Sequence, residues 1–160
     1  MEPLTTHHVQ QALDAAVPGV KISVFEASTA TSALAAAVLG CELGQIAKSI
    51  CFLVADEPVL VVASGDQQVD DRKIAAALGV GRKRVKLAKA DECLRIWGYL
   101  PGSVPPLGHR VPMTHTFLDE RLRRYDVVYA AGGSANALFP LTPLQLEQAT
   151  RGRWLNTARC

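Results

Sequence analysis

Two apolar, β-branched runs, Ile46–Val54 and Pro58–Ser64, flank the short polar segment Ala55-Asp56-Glu57, and this pairing constrains the fold more than anything else in the chain. Runs of that length and composition joined by so short a connection predict an antiparallel hairpin. Val59-Leu60-Val61-Val62 is apolar throughout, as expected of a central strand buried on both faces. One residue breaks the pattern. Lys48 stands inside the first run, and a buried ammonium is costly unless an anion or a hydrogen-bonding partner meets it. Lys48 therefore has either a solvent-facing strand position or a function.

Local signals fill in the rest. Thr5 or Thr6 can cap a helix through Val17, stopped by Pro18-Gly19. Strict alternation over Val20–Phe25 predicts a half-buried strand, and the alanine-rich stretch Thr31–Leu39 predicts a helix ended by Gly40. Asp70 or Asp71 opens a further helix to Leu78, stopped by Gly79; a basic link from Gly81 to Leu87 precedes a short helix over Ala90–Trp97. Three prolines and three glycines between Gly98 and Gly108 exclude a regular element. A long ordered loop of this kind is usually functional. Beyond it, Val111–His115 is expected as a strand, Asp119–Arg124 as a helical turn and Asp126–Ala131 as a buried strand. Gly132–Asn136 is expected as a turn into Ala137–Leu141, and Thr142-Pro143 as the start of a last helix through Ala149. The spacing does not give a clean series of βαβ units. The expected fold is α+β (mixed α/β), a curved mixed sheet or partly open β-barrel surrounded by helices, in a single domain over residues 1–160.

Composition excludes several classes. Hydrophobic residues at 49% and charged ones at 20% indicate a folded chain. A net charge of +2 is too mild to indicate nucleic-acid binding by itself. The cations do cluster, at Arg82, Lys83, Arg84, Lys86 and Lys89, at Arg121, Arg123 and Arg124, and at Arg151 and Arg153. Cys41, Cys51, Cys93 and Cys160 form no C-x-x-C pair and no histidine lies at zinc-ligand spacing, so no metal or other cofactor is expected. Neither a signal peptide nor an apolar stretch long enough for a membrane span is present, which predicts a cytoplasmic location without membrane contact. There is no nucleophile elbow, phosphate loop, H-E-x-x-H or dinucleotide fingerprint. A thiol mechanism, with Cys41 or Cys93 as nucleophile and His109 or His115 as base, lacks any recognisable activating context.

What remains is a strand lysine, a Gly/Pro loop and a second Gly/Ser/Asn turn. Glycines admit a ligand close to the backbone, turn N–H groups can hold an oxyanion or phosphate, and a nearby lysine supplies counter-charge. These segments carry a resemblance. Gly44-Gln45-Ile46-Ala47-Lys48-Ser49-Ile50, Ser64-Gly65-Asp66, Gly98-Tyr99 with Gly102-Ser103-Val104-Pro105-Pro106-Leu107-Gly108, and Gly132-Gly133-Ser134-Ala135-Asn136-Ala137-Leu138-Phe139 are, in that order, similar to the YbaK/ProX family. That family comprises aminoacyl-tRNA deacylases related to the editing insertion domain of bacterial prolyl-tRNA synthetase.

The resemblance implies a freestanding trans-editing hydrolase that cleaves the ester of mischarged tRNA, with a proline tRNA carrying Ala, Cys, Ser or Thr as the expected substrate. It implies that Lys48 holds the phosphate or ribose of the terminal adenosine. Gly102, Ser103 and Pro106 belong to the loop that positions the ester carbonyl and water, and Tyr99, Gly132, Gly133, Ser134 and Asn136 join Lys48 and Gly102 in binding substrate. Ser103 and Pro105 stand where many relatives carry Gly and Ser or Thr, and Ala135 where Pro is commoner; these departures bear on substrate choice. The implied partners are the aminoacyl-tRNA acceptor end and, as a further candidate, prolyl-tRNA synthetase, with the protein a monomer or a homodimer. The alternative is a non-catalytic module that binds a tRNA end or an adenosine ligand in the same pocket.

Overall fold

The computed structural model describes residues 1–160 and is organised around one eight-stranded mixed sheet. Its strands are β1 (Ser23–Val24), β2 (Ile46–Val54), β3 (Glu57–Ser64), β4 (Val85–Leu87), β5 (His115–Asp119), β6 (Val128–Ala131), β7 (Ala137–Leu141) and β8 (Arg153–Leu155). The order across the sheet is β1-β7-β6-β2-β3-β5-β8, with β4 attached to β2 on the side β6 also uses. β1 and β8 do not meet, so the sheet is open. The helices are α1 (Thr6–Ala16), α2 (Ser32–Leu39), α3 (Asp71–Leu78), α4 (Ala90–Glu92), which runs on into a π-helical turn Cys93–Trp97, and α5 (Pro143–Thr150).

The expected hairpin forms β2 and β3, paired from Val54↔Glu57 back to Ala47↔Ser64. Its two-residue turn puts Ala55 and Asp56 at φ 49° and 66°, the left-handed pair that a type I′ connection requires. The helix limits follow the local signals. Thr31 Oγ1 accepts from Leu34 N–H at 3.1 Å and Gly40 closes α2 at φ 66°; Asp70 accepts from Arg72 N–H at 3.0 Å and Gly79 closes α3 at φ 67°. Thr142 and Gln145 cap α5 reciprocally, with Pro143 in the first turn.

Three expectations are corrected, and one strand is added, by long-range pairing. The strand foreseen over Val20–Phe25 shrinks to Ser23–Val24, because the Gln10 side chain of α1 donates to Val20 O at 2.8 Å and accepts from Ile22 N–H at 3.0 Å. The basic link contains a 3-10 turn, Arg82–Arg84, and a strand, β4, which pairs antiparallel with β2. The strand foreseen at Val111–His115 starts where that prediction ends, since it is His115–Leu118 that lies parallel to Val59–Val62. β8, unforeseen, is recruited by β5 through Phe117↔Arg153 to Asp119↔Leu155.

Alternation along β2 decides where each side chain goes. Ala47 and Cys51 face the main core with Val9 and Leu13 of α1, Trp97, Tyr99 and Phe139. On the opposite face Phe52 and Val54 pack with Ile74 and Ala75 of α3, whereas Ile46 packs with Ala35 and Ala36 of α2. Lys48 lies on this second face, between the two helix-covered patches. That placement resolves the conflict in the sequence: the strand is buried, but Lys48 occupies the interval that neither α2 nor α3 covers.

Candidate active site

Lys48 is half-buried at the wall of a cavity of ≈250 Å³. Its Nζ donates to Gln67 O at 2.6 Å, which fixes the ammonium while leaving two further donors for a ligand. Burial lowers the Lys48 pKa and the nearby Asp66 carboxylate opposes that shift. Asp66 is itself held by Arg124, whose Nη2 lies 3.0 Å from Oδ1 and also donates to Ser64 Oγ at 2.9 Å. These contacts explain Gly44 at the head of the lysine segment: a Cβ there would come within 2.8 Å of Arg124 Nη2 and 2.9 Å of Asp66 Oδ2.

The sheet is interrupted beside Lys48. The ladder between β2 and β6 ends at Ala47, and the ladder between β2 and β4 begins at Phe52. Lys48–Cys51 thus have a partner strand only on the β3 side, apart from Ala88 N–H donating to Cys51 O at 2.9 Å. Gly65 N–H donates to Ile46 O, so Ile46, Lys48 and Ile50 exchange bonds with β3 and Ser49 turns its N–H and C=O into the open slot. The Ser49 hydroxyl is buried and has no hydrogen-bond partner. A buried polar group left without a partner costs free energy, and Ser49 lines the Lys48 cavity, so a bound ligand could satisfy it. The sequence contained Ser49 beside Lys48 but no signal separating it from a strand serine packed in the core.

Opposite the slot stands the Gly/Pro loop. Leu100–Ser103 is a β-turn closed by Ser103 N–H to Leu100 O at 3.0 Å, with Pro101 followed by Gly102 at φ 86°, the arrangement of a type II turn. A Cβ on Gly102 would meet Ala30 O at 2.6 Å. Gly102 and Val104 line the same cavity as Lys48, facing Thr29–Ser32, and neither N–H has an acceptor within the protein. Ser103 has its amide committed to the turn and opens instead toward a neighbouring cavity. Pro106 is buried and lines none of the main cavities. The structure thus brings Lys48 and Gly102 together and leaves Ser103 and Pro106 behind the loop.

The second glycine turn is placed differently. Gly133, Ser134 and Asn136 line a cavity of ≈560 Å³ with Ser103 and the N-terminal Pro3–Thr6, not the one that holds Lys48. Ser134 Oγ donates to Asn136 Oδ1 at 2.8 Å and Asn136 Nδ2 donates to Phe25 O at 2.9 Å. Thr29 N–H donates to Ala135 O at 2.7 Å, so this turn holds the segment that walls the Lys48 cavity. Gly132 closes the turn, its N–H donating to Ala137 O at 2.8 Å. Tyr99, expected at the substrate, is wholly buried, its hydroxyl donating to Gly108 O at 2.7 Å and burial raising its pKa.

The thiol alternative finds no geometry. His109 Nε2 donates to Pro105 O at 2.8 Å, and burial lowers its pKa to about 4; it pins the loop and stays neutral. Cys93 is buried against Cys51, a contact that lowers the Cys93 pKa and, with burial, pushes the Cys51 thiol up; Cys41 is raised by burial, and neither His109 nor His115 hydrogen-bonds a thiol. No group of His, Cys, Asp or Glu is arranged to hold a metal ion, and no helix is long and apolar enough to cross a membrane.

Known proteins resemble this chain over most of its length. The family model for the aminoacyl-tRNA editing domain matches residues 26–149. The chain is 32% identical to the uncharacterized protein YwhH of Bacillus subtilis over 143 residues, covering 86% of this chain and 87% of the relative. It is 28% identical over 117 residues to EbsC of Enterococcus faecalis, a candidate Cys-tRNA(Pro)/Cys-tRNA(Cys) deacylase, covering 72% and 70%. A crystal structure of a candidate trans-editing enzyme for prolyl tRNA synthetase superposes with a TM-score of 0.90 at 34% identity, covering 97% of each chain.

Proposed function

The chain belongs to the aminoacyl-tRNA editing domain family, and on that premise we propose that it acts in trans to hydrolyse the ester of tRNA charged with a small wrong amino acid, a proline tRNA bearing Ala, Cys, Ser or Thr being the substrate class. The observation that carries this reading is the meeting of Lys48, the open slot at Ser49 and the Gly102 turn around one cavity of ≈250 Å³. Lys48 is the one ionisable residue in its lining. A single cation suits the terminal nucleotide's phosphate or ribose oxygens, and the short side chains Ala30, Ala35 and Thr29 leave room for a small aminoacyl group. The relatives' names and the solved trans-editing neighbour support the same substrate class.

In this reading water attacks the ester carbonyl, the acyl C–O bond breaks, and the tRNA hydroxyl and the free amino acid leave. Charge develops on the carbonyl oxygen, and the uncommitted N–H groups of Ser49, Gly102 and Val104 are the donors positioned to receive it. No histidine or carboxylate lines the cavity, so the proton of the attacking water is taken by the substrate or by solvent, and orientation supplies the acceleration. Proofreading of this kind is chemically necessary, because a synthetase pocket separates small side chains by only about 1–3 kcal/mol per methylene.

The test is a panel of alanyl-, cysteinyl-, seryl- and threonyl-tRNA incubated with purified protein. Release of amino acid from at least one is expected, with Lys48→Ala slowed by about 10²-fold and its thermal midpoint unchanged or raised, since a half-buried ammonium is removed. A complete charged-tRNA panel that yields saturable binding without release would replace this reading with that of a binding module.

A further inference from the structure

The two large basic clusters are not equivalent. Around Arg121–Arg124 the cations are already engaged: Arg121 with Asn156 at 3.2 Å, Arg123 over the Trp154 ring and 3.8 Å from Glu147, and Arg124 with Asp66. Around β4 the reverse holds. Arg82 pairs with Asp71 at 2.9 Å, but Lys83, Arg84 and Lys86 are exposed and their side chains have no hydrogen-bond or ion-pair partner.

β4 also borders a second concavity that shares Lys48 with the first. This groove, of ≈360 Å³, has an apolar floor of Ile50, Phe52, Val85 and Leu87, with Lys48 at one end and Arg159 and Gln68 on the facing rim. Leu87 is 65% exposed, which is high for an apolar strand residue beside the unpaired cations. Asp71, the acid in the lining, is neutralised by Arg82. An apolar floor with cations at its rim is what an unstacked nucleotide requires, the base lying on apolar surface and the phosphates meeting charge.

We propose that this groove and the β4 edge bind the single-stranded 3′ end of tRNA. The nucleotide preceding the terminal adenosine lies over Phe52 and Leu87, and the backbone continues past Lys83 and Arg84. The assignment rests on the reading of the Lys48 cavity as the ester site, because Lys48 is where the two concavities join. It excludes the Arg121–Arg124 cluster as the main contact.

The experiment compares two double variants of equal charge loss, Lys83→Gln/Arg84→Gln and Arg95→Gln/Arg151→Gln, the latter removing two exposed, unpartnered cations elsewhere. Each is assayed on charged tRNA across a salt series and on a 3′-aminoacyl adenosine lacking all upstream nucleotides. The first double is expected to lower the slope of log affinity against log salt by about 1.4, from about 0.7 per single-strand phosphate contact, with turnover of the adenosine ester intact. The second double leaves both unchanged. Wild-type hydrolysis of both substrates with no difference between the doubles on tRNA overturns the groove assignment alone. Failure of the wild type to hydrolyse either ester overturns the reading of the cavity. A Leu87→Ser variant, at an exposed position outside the core, is expected to weaken tRNA binding and spare the adenosine ester; unaltered tRNA binding there removes the nucleotide from the floor.

Discussion

The turn at Leu100–Ser103 and the turn at Gly132–Asn136 are near-equivalents in sequence, each setting glycine beside serine at the end of a structured segment, yet they stand at different cavities and differ in what their side chains and carbonyls hold. In the first, Gly102 leaves its N–H without an acceptor and fronts the Lys48 cavity. In the second, the serine hydroxyl, the asparagine amide and the backbone carbonyls are consumed in holding Phe25 and Thr29. Glycine content does not separate a binding turn from a supporting one; what separates these two is that the first faces Lys48 and the second spends its side chains and carbonyls on the wall of that cavity.

The comparison is open to attack at three points. The largest effect is expected at Gly102→Ala, where φ 86° and Ala30 O at 2.6 Å both oppose a Cβ; deacylation should fall by about 10²-fold, the scale of losing one preorganised donor. Rates normalised to folded protein that stay within a factor of two would show that the turn is only a connector. Next, Asn136→Ala should lower stability by about 1–3 kcal/mol, by removing a partly buried amide that makes two hydrogen bonds. Its urea midpoint should shift clearly while kcat on the surviving folded fraction changes far less than for Gly102→Ala.

The smallest effect concerns acid. His109 has its pKa lowered to about 4 from 6.5, so between those values the unfolded chain binds a proton that the folded chain refuses. Stability is therefore full above about pH 6.5 and is lost as the pH falls toward 4. Replacing His109 with Gln should flatten this part of the stability profile. Equal acid sensitivity in both proteins would show that His109 does not secure the first turn.

Much of this was legible from the chain because the signals are local. The helix limits at Thr31 and Gly40, at Asp70 and Gly79, and at Thr142-Pro143 depend on neighbours a few residues away, as does the hairpin. β4, β5 and β8 depend on partners far along the chain. Arg153-Trp154-Leu155 has no strand signal of its own until β5 offers an edge. In the site, Lys48 announced itself by contradiction, an ammonium in an apolar run. The Thr29–Ser32 wall did not, because short polar residues before a helix read simply as a cap. Tyr99 entered only through the resemblance, as part of the Gly98-Tyr99 motif, and its ring belongs to the core.

The slot in the sheet gives the molecule an internal reporter. β2 is a central strand whose amides directed at β3 are secured by the hairpin ladder, so they open to solvent only with large-scale unfolding. The Ser49 amide is adjacent in sequence but has no ladder partner on its side. Its exchange with solvent deuterium is governed by whatever fills the slot, so the Ser49 amide records occupancy of the cavity without any label attached to the ligand.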